Sequence, residues 1–243
     1  MARQSRLSLP GIVHYVVQRG HNGGAIVRDA QDAQRLLQAL RESAASAGVV
    51  LHAYALGTAQ MQLLATPDSA TAVSRMMQAL GRHYAAVFNR RHARTGALWD
   101  GRFRSALIEP GEALLVAMRA VDGLGAAPVR PDEDSASHAE PSMLPNAISE
   151  CVLTSALGRT GERREPFIVD PPEYWQLGNT PFERESRYRH LLAEPLAESQ
   201  ARRLHAALRA GRAFGSEAFL SRLSEATTRS MTPRPRGRPP RPT

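Results

Sequence analysis

The sequence predicts an α+β protein, because short stretches with strand periodicity alternate with longer stretches of helical periodicity. The predicted elements run, in chain order, over Ile12–Arg19, 30–47, Leu51–Leu56, Gln60–Thr66, 70–92 and 102–108. The second and third strands form a hairpin around the tight connection Gly57–Ala59. The resulting order of strand, helix, hairpin, helix and strand is that of a ferredoxin-like βαββαβ domain.

Changes in composition divide the chain into four predicted segments. Residues 1–121 are predicted to form a ferredoxin-fold domain, and 122–150 a flexible acidic linker. A helical C-terminal module is predicted over 151–228, followed by a disordered basic tail over 229–243. The linker is predicted because 131–150 contains five acids, three prolines and no arginine. Helix-start patterns at Asp170 and Thr180 predict the helical character of the third segment.

The tail carries a short motif for contact with DNA. Arg229–Thr243 contains five arginines and no acid, and its centre reads PRGRP, which matches the core of an AT-hook. In that interpretation, Arg236 and Arg238 lie along the narrow, strongly negative minor groove of A·T-rich duplex DNA. A generic disordered basic tail is the alternative, and either version raises DNA affinity in a salt-dependent way.

The overall composition favours a nucleic-acid-binding protein. The formal net charge is +8 and the pI about 10.8. All 31 basic residues are arginines, whose guanidinium pairs well with phosphate, although a GC-rich genome produces the same bias. The single Cys151 allows no intramolecular disulfide, and no Cys/His spacing predicts a zinc site. Neither a membrane span nor a signal peptide is predicted, so we expect a cytoplasmic, nucleoid-associated protein.

Arginines cluster between residues 75 and 104, where seven of them accompany a single acid, Asp100. A charge run is usually a solvated helix face, and this is the alternative here. On an already basic chain, a cluster of one sign favours contact with phosphates. The residues predicted to contact the DNA backbone are Arg19, Arg82, Arg90, Arg91, Arg94, Arg102 and Arg104.

Two glutamines lie two positions apart in the second strand of the hairpin. Gln60, Gln62 and Leu64 are expected to point to one side, because strand side chains alternate. The ordinary interpretation of such a pair is a half-exposed sheet face. The sequence around the hairpin suggests a second interpretation of the two glutamines.

Four ordered blocks carry a resemblance to a known family. They read LPGIVHYVVQRGHN, SRMMQALGRHYAAVFNRRHARTGALWDGRFRSALI, YWQLGNTPFERESRYRHLL and GRAFGSEAF, over Leu9–Asn22, Ser74–Ile108, Tyr174–Leu192 and Gly211–Phe219. The chain resembles the single-tyrosine HUH transposases of bacterial insertion sequences, in particular their REP-associated branch. The resemblance covers nearly the whole chain apart from about 122–165, and it implies the same ferredoxin-like fold.

The resembled family uses two metal-binding histidines and a nucleophilic tyrosine, and all three are replaced here. The histidine frame reads Gln60-Met61-Gln62, and Ala120 stands at the tyrosine position. An active member of the family would use Mg²⁺ or Mn²⁺ to polarise the phosphate that the tyrosine attacks. A glutamine amide is a poor substitute for imidazole, and alanine has no nucleophile. The resemblance therefore implies a DNA-binding protein with no intact catalytic residue, no bound metal and no other cofactor.

The predicted partners are hairpin or single-stranded DNA, A·T-rich duplex for the tail and, by resemblance, a second copy of the chain in a homodimer. The rival hypothesis is an active single-strand transposase or nickase in which another tyrosine, such as Tyr54 or Tyr84, attacks. A decaying gene product with no selected function is a further alternative. RNA binding also stays open, because it shares the same electrostatics.

Overall fold

The computed structural model describes residues 6–123, 151–227 and 229–231. Most of the predicted linker and the AT-hook-like core, with Arg236 and Arg238, lie outside the described residues. The strands are β1 (Val13–Arg19), β2 (Val49–Gly57), β3 (Gln60–Pro67), β4 (Arg104–Ile108), β5 (Cys151–Thr154) and β6 (Ala213–Phe214). The helices are α1 (Ala30–Ala47), α2 (Ala72–Arg91), α3 (Glu112–Asp122), α4 (Ala156–Arg159), α5 (Pro172–Trp175), α6 (Pro181–Ala193), α7 (Glu198–Ala210) and α8 (Glu217–Thr227). No helix in these ranges combines the length and the apolarity needed to cross a bilayer.

The strands form one sheet in the order β5-β2-β3-β1-β4-β6. Its four central strands are antiparallel, with β1 between β3 and β4 and with β3 between β1 and β2. Helices α1 and α2 connect these strands and pack on one side of the sheet. This is the ferredoxin-like βαββαβ arrangement, so the predicted α+β fold class is confirmed.

Local sequence signals define the ends of α1. The Asp29 carboxylate accepts a hydrogen bond from the Asp32 backbone N–H at 2.9 Å and caps the first turn. Gly48 ends the helix with a φ of 70°, and a Cβ at this position would collide with the Asp68 side chain. The chain can therefore reverse directly from α1 into β2.

The side of the sheet covered by α1 and α2 is called the first face. Leu36 and Leu40 of α1 and Met76 and Leu80 of α2 are fully buried against it. These residues recur at the 3.6-residue spacing that predicted both helices. Hydrophobic burial along this stripe holds the two helices on the sheet.

The opposite side, called the second face, is covered by α3 and by α5, α6 and α7. Ala117 and Val121 of α3 pack there with Ala55 of β2, Tyr188 of α6 and Leu208 of α7. The sheet is thus enclosed between two helical layers. The second layer comes mostly from the C-terminal part of the chain.

The C-terminal part also supplies two strands that no sequence pattern predicted. β5 pairs antiparallel with β2, and β6 pairs parallel with β4, so both outer edges of the four-stranded unit are covered. The division of the chain into 1–121 and 151–228 stays a prediction. In the structure, both segments contribute to the same sheet and to the same second-face core.

A buried ion pair joins the end of α3 to the C-terminal part. The Arg159 guanidinium donates to Asp122 Oδ2 at 2.7 Å, and the two side chains are 1 % and 0 % exposed. The Tyr188 and Ser155 hydroxyls donate to the same carboxylate, each at 2.6 Å. Burial, followed by the charge of Asp122, raises the pKa of Tyr188, so its hydroxyl stays protonated as a donor.

We expect the Arg159→Met variant to lose about 3–5 kcal/mol of unfolding free energy, because Asp122 would stay buried without its cation. Adding Asp122→Asn should recover part of the loss, because the uncompensated charge is removed. Urea unfolding followed by circular dichroism measures both effects. The control Arg202→Met removes an exposed pair with Glu198 and should change stability by less than about 0.5 kcal/mol. A loss in Arg159→Met no larger than in the control would contradict the structural role of the pair.

Candidate functional site

Gln60 and Gln62 both point to the second face. Leu64, two positions further along β3, belongs to the second-face core, and strand side chains alternate. The expectation of a half-exposed sheet face is wrong, because Gln60 is only 4 % exposed and Gln62 only 2 %. The layer of α3 and the C-terminal helices, which the hairpin sequence could not indicate, covers this side.

A buried hydrogen bond occupies the side chain of Gln62. The Tyr15 hydroxyl of β1 donates to Gln62 Oε1. Burial raises the pKa of Tyr15, which keeps the hydroxyl protonated. The amide nitrogen of Gln60, in contrast, is buried without a hydrogen-bond partner in the described part of the chain. Such an orphan donor costs stability unless a ligand or water accepts its hydrogen bond.

Ala120 lies on α3 and packs on the second face. It is 6 % exposed and belongs to the same core as Tyr15 and Leu64. Gln60, Gln62 and Ala120, which the sequence resemblance matched to catalytic positions, are therefore on the same side of the sheet. A methyl group at the third position can neither ionise nor attack a phosphate.

The residues at these positions do not fit a divalent metal site. Gln60 and Gln62 offer neutral amide oxygens, and the oxygen of Gln62 is already hydrogen-bonded to Tyr15. Throughout the described ranges, no group of three or more His, Cys, Asp or Glu side chains is placed to hold a metal ion. No metal-dependent step follows from this set of donors.

Tyr54 and Tyr84, the tyrosines considered as replacement nucleophiles, lie in the first-face core. The Tyr84 hydroxyl donates to the Ile26 carbonyl at 2.6 Å, and the Tyr54 hydroxyl donates to Glu165 Oε1 at 3.1 Å. Burial is the main cause that raises the pKa of each of them. Both phenols are thus held protonated on the side of the sheet opposite to Gln60.

The predicted DNA-contacting arginines fall into two groups on different sides of the sheet. The first group belongs to α2 and the loop that follows it. Arg82 and Arg90 are exposed and form no ion pair with any described residue. They lie two helical turns apart, about 12 Å along the axis. This face of α2 is therefore a cationic surface open to solvent.

Arg91 and Arg94 of the same group are engaged within the protein. Arg91 forms ion pairs with Asp29 and Asp32, at 2.7 and 2.5 Å. Its hydrogen bond is the main cause that lowers the pKa of Asp29 to about 2. Arg94 donates to Asn89 Oδ1 at 3.1 Å. Two carboxylates already balance Arg91, so it is less available to a phosphate than an unpaired arginine.

The second group lies at one end of the second face. Arg19 of β1 is half-buried and pairs across the ladder with Gln60, while Arg104 of β4 is exposed and stands opposite Val17. Val17 belongs to the second-face core, so strand alternation directs both arginines to this side. Arg102 is exposed immediately before β4.

Helix α7 adds a histidine to this end of the second face. Burial, followed by the charges of Arg209, Arg104 and Arg19, lowers the pKa of His205. His205 Nε2 is also buried without a hydrogen-bond partner among the described residues. The sequence shows His205 and Arg209 at the (i, i+4) spacing of helix neighbours. No local pattern, however, indicates the long-range packing of α7 on β4.

We expect Tyr15→Phe to destabilise the chain by about 1–3 kcal/mol, because Gln62 Oε1 would stay buried without its donor. Urea unfolding measures this loss. The double variant Tyr15→Phe/Gln62→Leu is the control and should be more stable than Tyr15→Phe alone, since it removes the unmatched acceptor together with its partner. If the single variant were as stable as the unchanged chain, the proposed hydrogen bond would not contribute to folding.

Comparison with solved structures finds partial similarity to transposase structures. The chain is similar to a REP-associated tyrosine transposase bound to a REP hairpin, with 12 % identity and a TM-score of 0.39 over 50 % of this chain and 70 % of the other. It is also similar to a candidate transposase from Deinococcus radiodurans R1, with 18 % identity and a TM-score of 0.35 over 45 % of this chain and 88 % of the other. No protein-family profile and no curated protein matches the sequence.

Proposed function

We propose that this chain is a transposase-like DNA-binding protein that recognises hairpin or repeat DNA and does not cut it. One observation carries the proposal. Gln60, Gln62 and Ala120 occupy the positions at which the resembled family has two histidines and a tyrosine, and all three belong to the second face. Their common location supports a retained scaffold, and their chemistry supports the loss of cleavage.

Cleavage of a phosphodiester needs a nucleophile and a group that stabilises charge on the phosphate. On the second face, the Gln62 amide is already hydrogen-bonded and Ala120 is inert. The phenol nearest to Gln62 is that of Tyr15, which is buried and has a raised pKa. These side chains supply no ionised nucleophile, so the proposal assigns this face a binding role.

Positive charge supplies the affinity for DNA in this proposal. The exposed arginines of the predicted set that have no ion pair in the described part of the chain are Arg82, Arg90, Arg102 and Arg104. Such side chains displace counterions from the phosphate backbone, which makes binding strong at low salt and weaker at high salt. Arg236 and Arg238 of the tail would add contacts in the minor groove. A homodimer and association with the nucleoid belong to the same proposal and follow from the resemblance and the charge.

The first test measures the affinity for a labelled DNA hairpin by fluorescence anisotropy at several salt concentrations. We expect Arg82→Gln/Arg90→Gln to bind about tenfold more weakly and with a salt slope smaller by about 1.5, because two phosphate contacts are lost. The matched control is Arg202→Gln, whose arginine is balanced by Glu198. It should bind within about twofold of the unchanged chain.

The same titration with a DNA duplex and with an RNA hairpin of matching sequence separates the alternatives. Tighter binding of the DNA hairpin than of either competitor supports the proposal. Tighter binding of the RNA hairpin would favour an RNA-binding role instead. A chain that unfolds without cooperativity and binds none of the three would support the decaying gene product and overturn the proposal.

The second test incubates the chain with a labelled hairpin and Mg²⁺ or Mn²⁺ and separates the products on a denaturing gel. We expect uncut DNA and no covalent protein–DNA adduct, because the described side chains beside Gln60 and Gln62 include no ionised nucleophile. An adduct would establish the rival enzyme hypothesis. Its loss in Tyr15→Phe, Tyr54→Phe or Tyr84→Phe would then identify the attacking tyrosine.

A further inference from the structure

We propose that Arg19, Gln60, Arg104 and His205 form a metal-free binding site for one phosphate group of a nucleic-acid backbone. The site lies on the second face, where one end of β1, β3 and β4 meets α7. The inference rests on the proposed DNA-binding function. Such a site would place a phosphate contact where no sequence motif predicted one.

The register of the strands brings three of these groups together. Arg19 is paired directly with Gln60 across the β1–β3 ladder. Arg104 stands opposite Val17, two positions before Arg19, on the other neighbouring strand. Directly opposite side chains have Cβ atoms about 5 Å apart and diagonal ones about 7–8 Å apart. The long arginine side chains can therefore converge with the Gln60 amide on one anion.

Two buried nitrogens at this place have no hydrogen-bond partner among the described residues, namely Gln60 Nε2 and His205 Nε2. Gln60 is only 4 % exposed, and the described residues offer its amide nitrogen no acceptor. An amide nitrogen can donate but cannot accept, and its missing partner is therefore an acceptor oxygen. A phosphate carries several such oxygens, and its charge strengthens the hydrogen bonds that it accepts.

The charged side chains that lower the pKa of His205 are all cationic. They belong to Arg209, Arg104 and Arg19, and none of these arginines forms an ion pair within the described ranges. Asp100 donates its backbone N–H to the Arg19 carbonyl at 2.9 Å, and its carboxylate forms no ion pair with a described residue either. The resulting positive potential favours an anion at this position.

The surroundings favour a backbone phosphate over a free ion. Arg104 is exposed, so the site is open to solvent on that side. Arg102 and Arg209, also exposed, extend the positive surface beyond the four site residues. A row of phosphates matches this extended charge better than a single ion, because each additional contact releases further counterions.

The test uses proton NMR of the full chain, in which the His205 resonance is identified by its absence in His205→Gln. In the free chain, His205 should titrate below the ordinary value of 6.5. A DNA hairpin should raise this pKa, because an adjacent phosphate stabilises the imidazolium. Arg104→Gln should bind the hairpin about fivefold more weakly, with a salt slope smaller by about 1. The control Arg202→Gln, on the same helix as His205, should change neither quantity.

Each outcome separates the site from the proposed function. If the hairpin binds and leaves the pKa of His205 unchanged, the site is refuted while DNA binding stands. If the hairpin does not bind at all, the proposed function fails. The pKa of His205 is then measured with inorganic phosphate instead of the hairpin. A shift of His205 with inorganic phosphate would then overturn the backbone assignment in favour of a free-anion site. No shift with either probe would overturn the site altogether.

Discussion

The buried ion pair between Asp122 and Arg159 is the constraint on which the second face depends. It ties the last residue of α3 to a segment that follows the predicted linker, and hydroxyls of Ser155 and Tyr188 complete the set of donors to the carboxylate. A buried carboxylate that loses its cation costs about 3–5 kcal/mol. This pair and the apolar contacts of Tyr188 and Leu208 hold the C-terminal helices on the sheet, where they enclose residues that would otherwise face solvent.

The enclosed surroundings of Gln62 on the second face are uncharged, whereas the rim of this face carries positive charge. In the interior, Gln62 is held by the Tyr15 hydroxyl, and burial keeps that phenol protonated. At the rim, Arg19 and Arg104 have no carboxylate partner in the described part of the chain, and the nearby Gln60 nitrogen lacks an acceptor. Such a face suits the binding of an anion from outside. In the proposed function, this face does not attack phosphorus, because such an attack needs an ionised nucleophile within the site.

The sequence was most informative where the signal was local. Periodicity predicted the helices and strands of the βαββαβ unit, and Asp29 and Gly48 marked the ends of α1. Strand pairing and burial that depend on distant parts of the chain could not be predicted from the sequence. The two-residue strand β6 is too short to show alternation, and the burial of Gln60 depends on helices far along the chain. The arginines between residues 75 and 104 form one cluster in the sequence but lie on two sides of the sheet. Those of α2 lie on the first face, and Arg104 of β4 points to the second face. Arg91 also has two carboxylate partners, Asp29 among them, that its local sequence does not reveal.

A crystal structure of the full chain with a DNA hairpin would show both where the DNA lies and whether it is cut. We expect an uncut hairpin whose phosphates contact Arg82 and Arg90 on α2 or Arg104 on the second face, with no metal between Gln60 and Gln62. A phosphotyrosine linkage, or DNA bound on a surface that includes none of these arginines, would contradict this expectation.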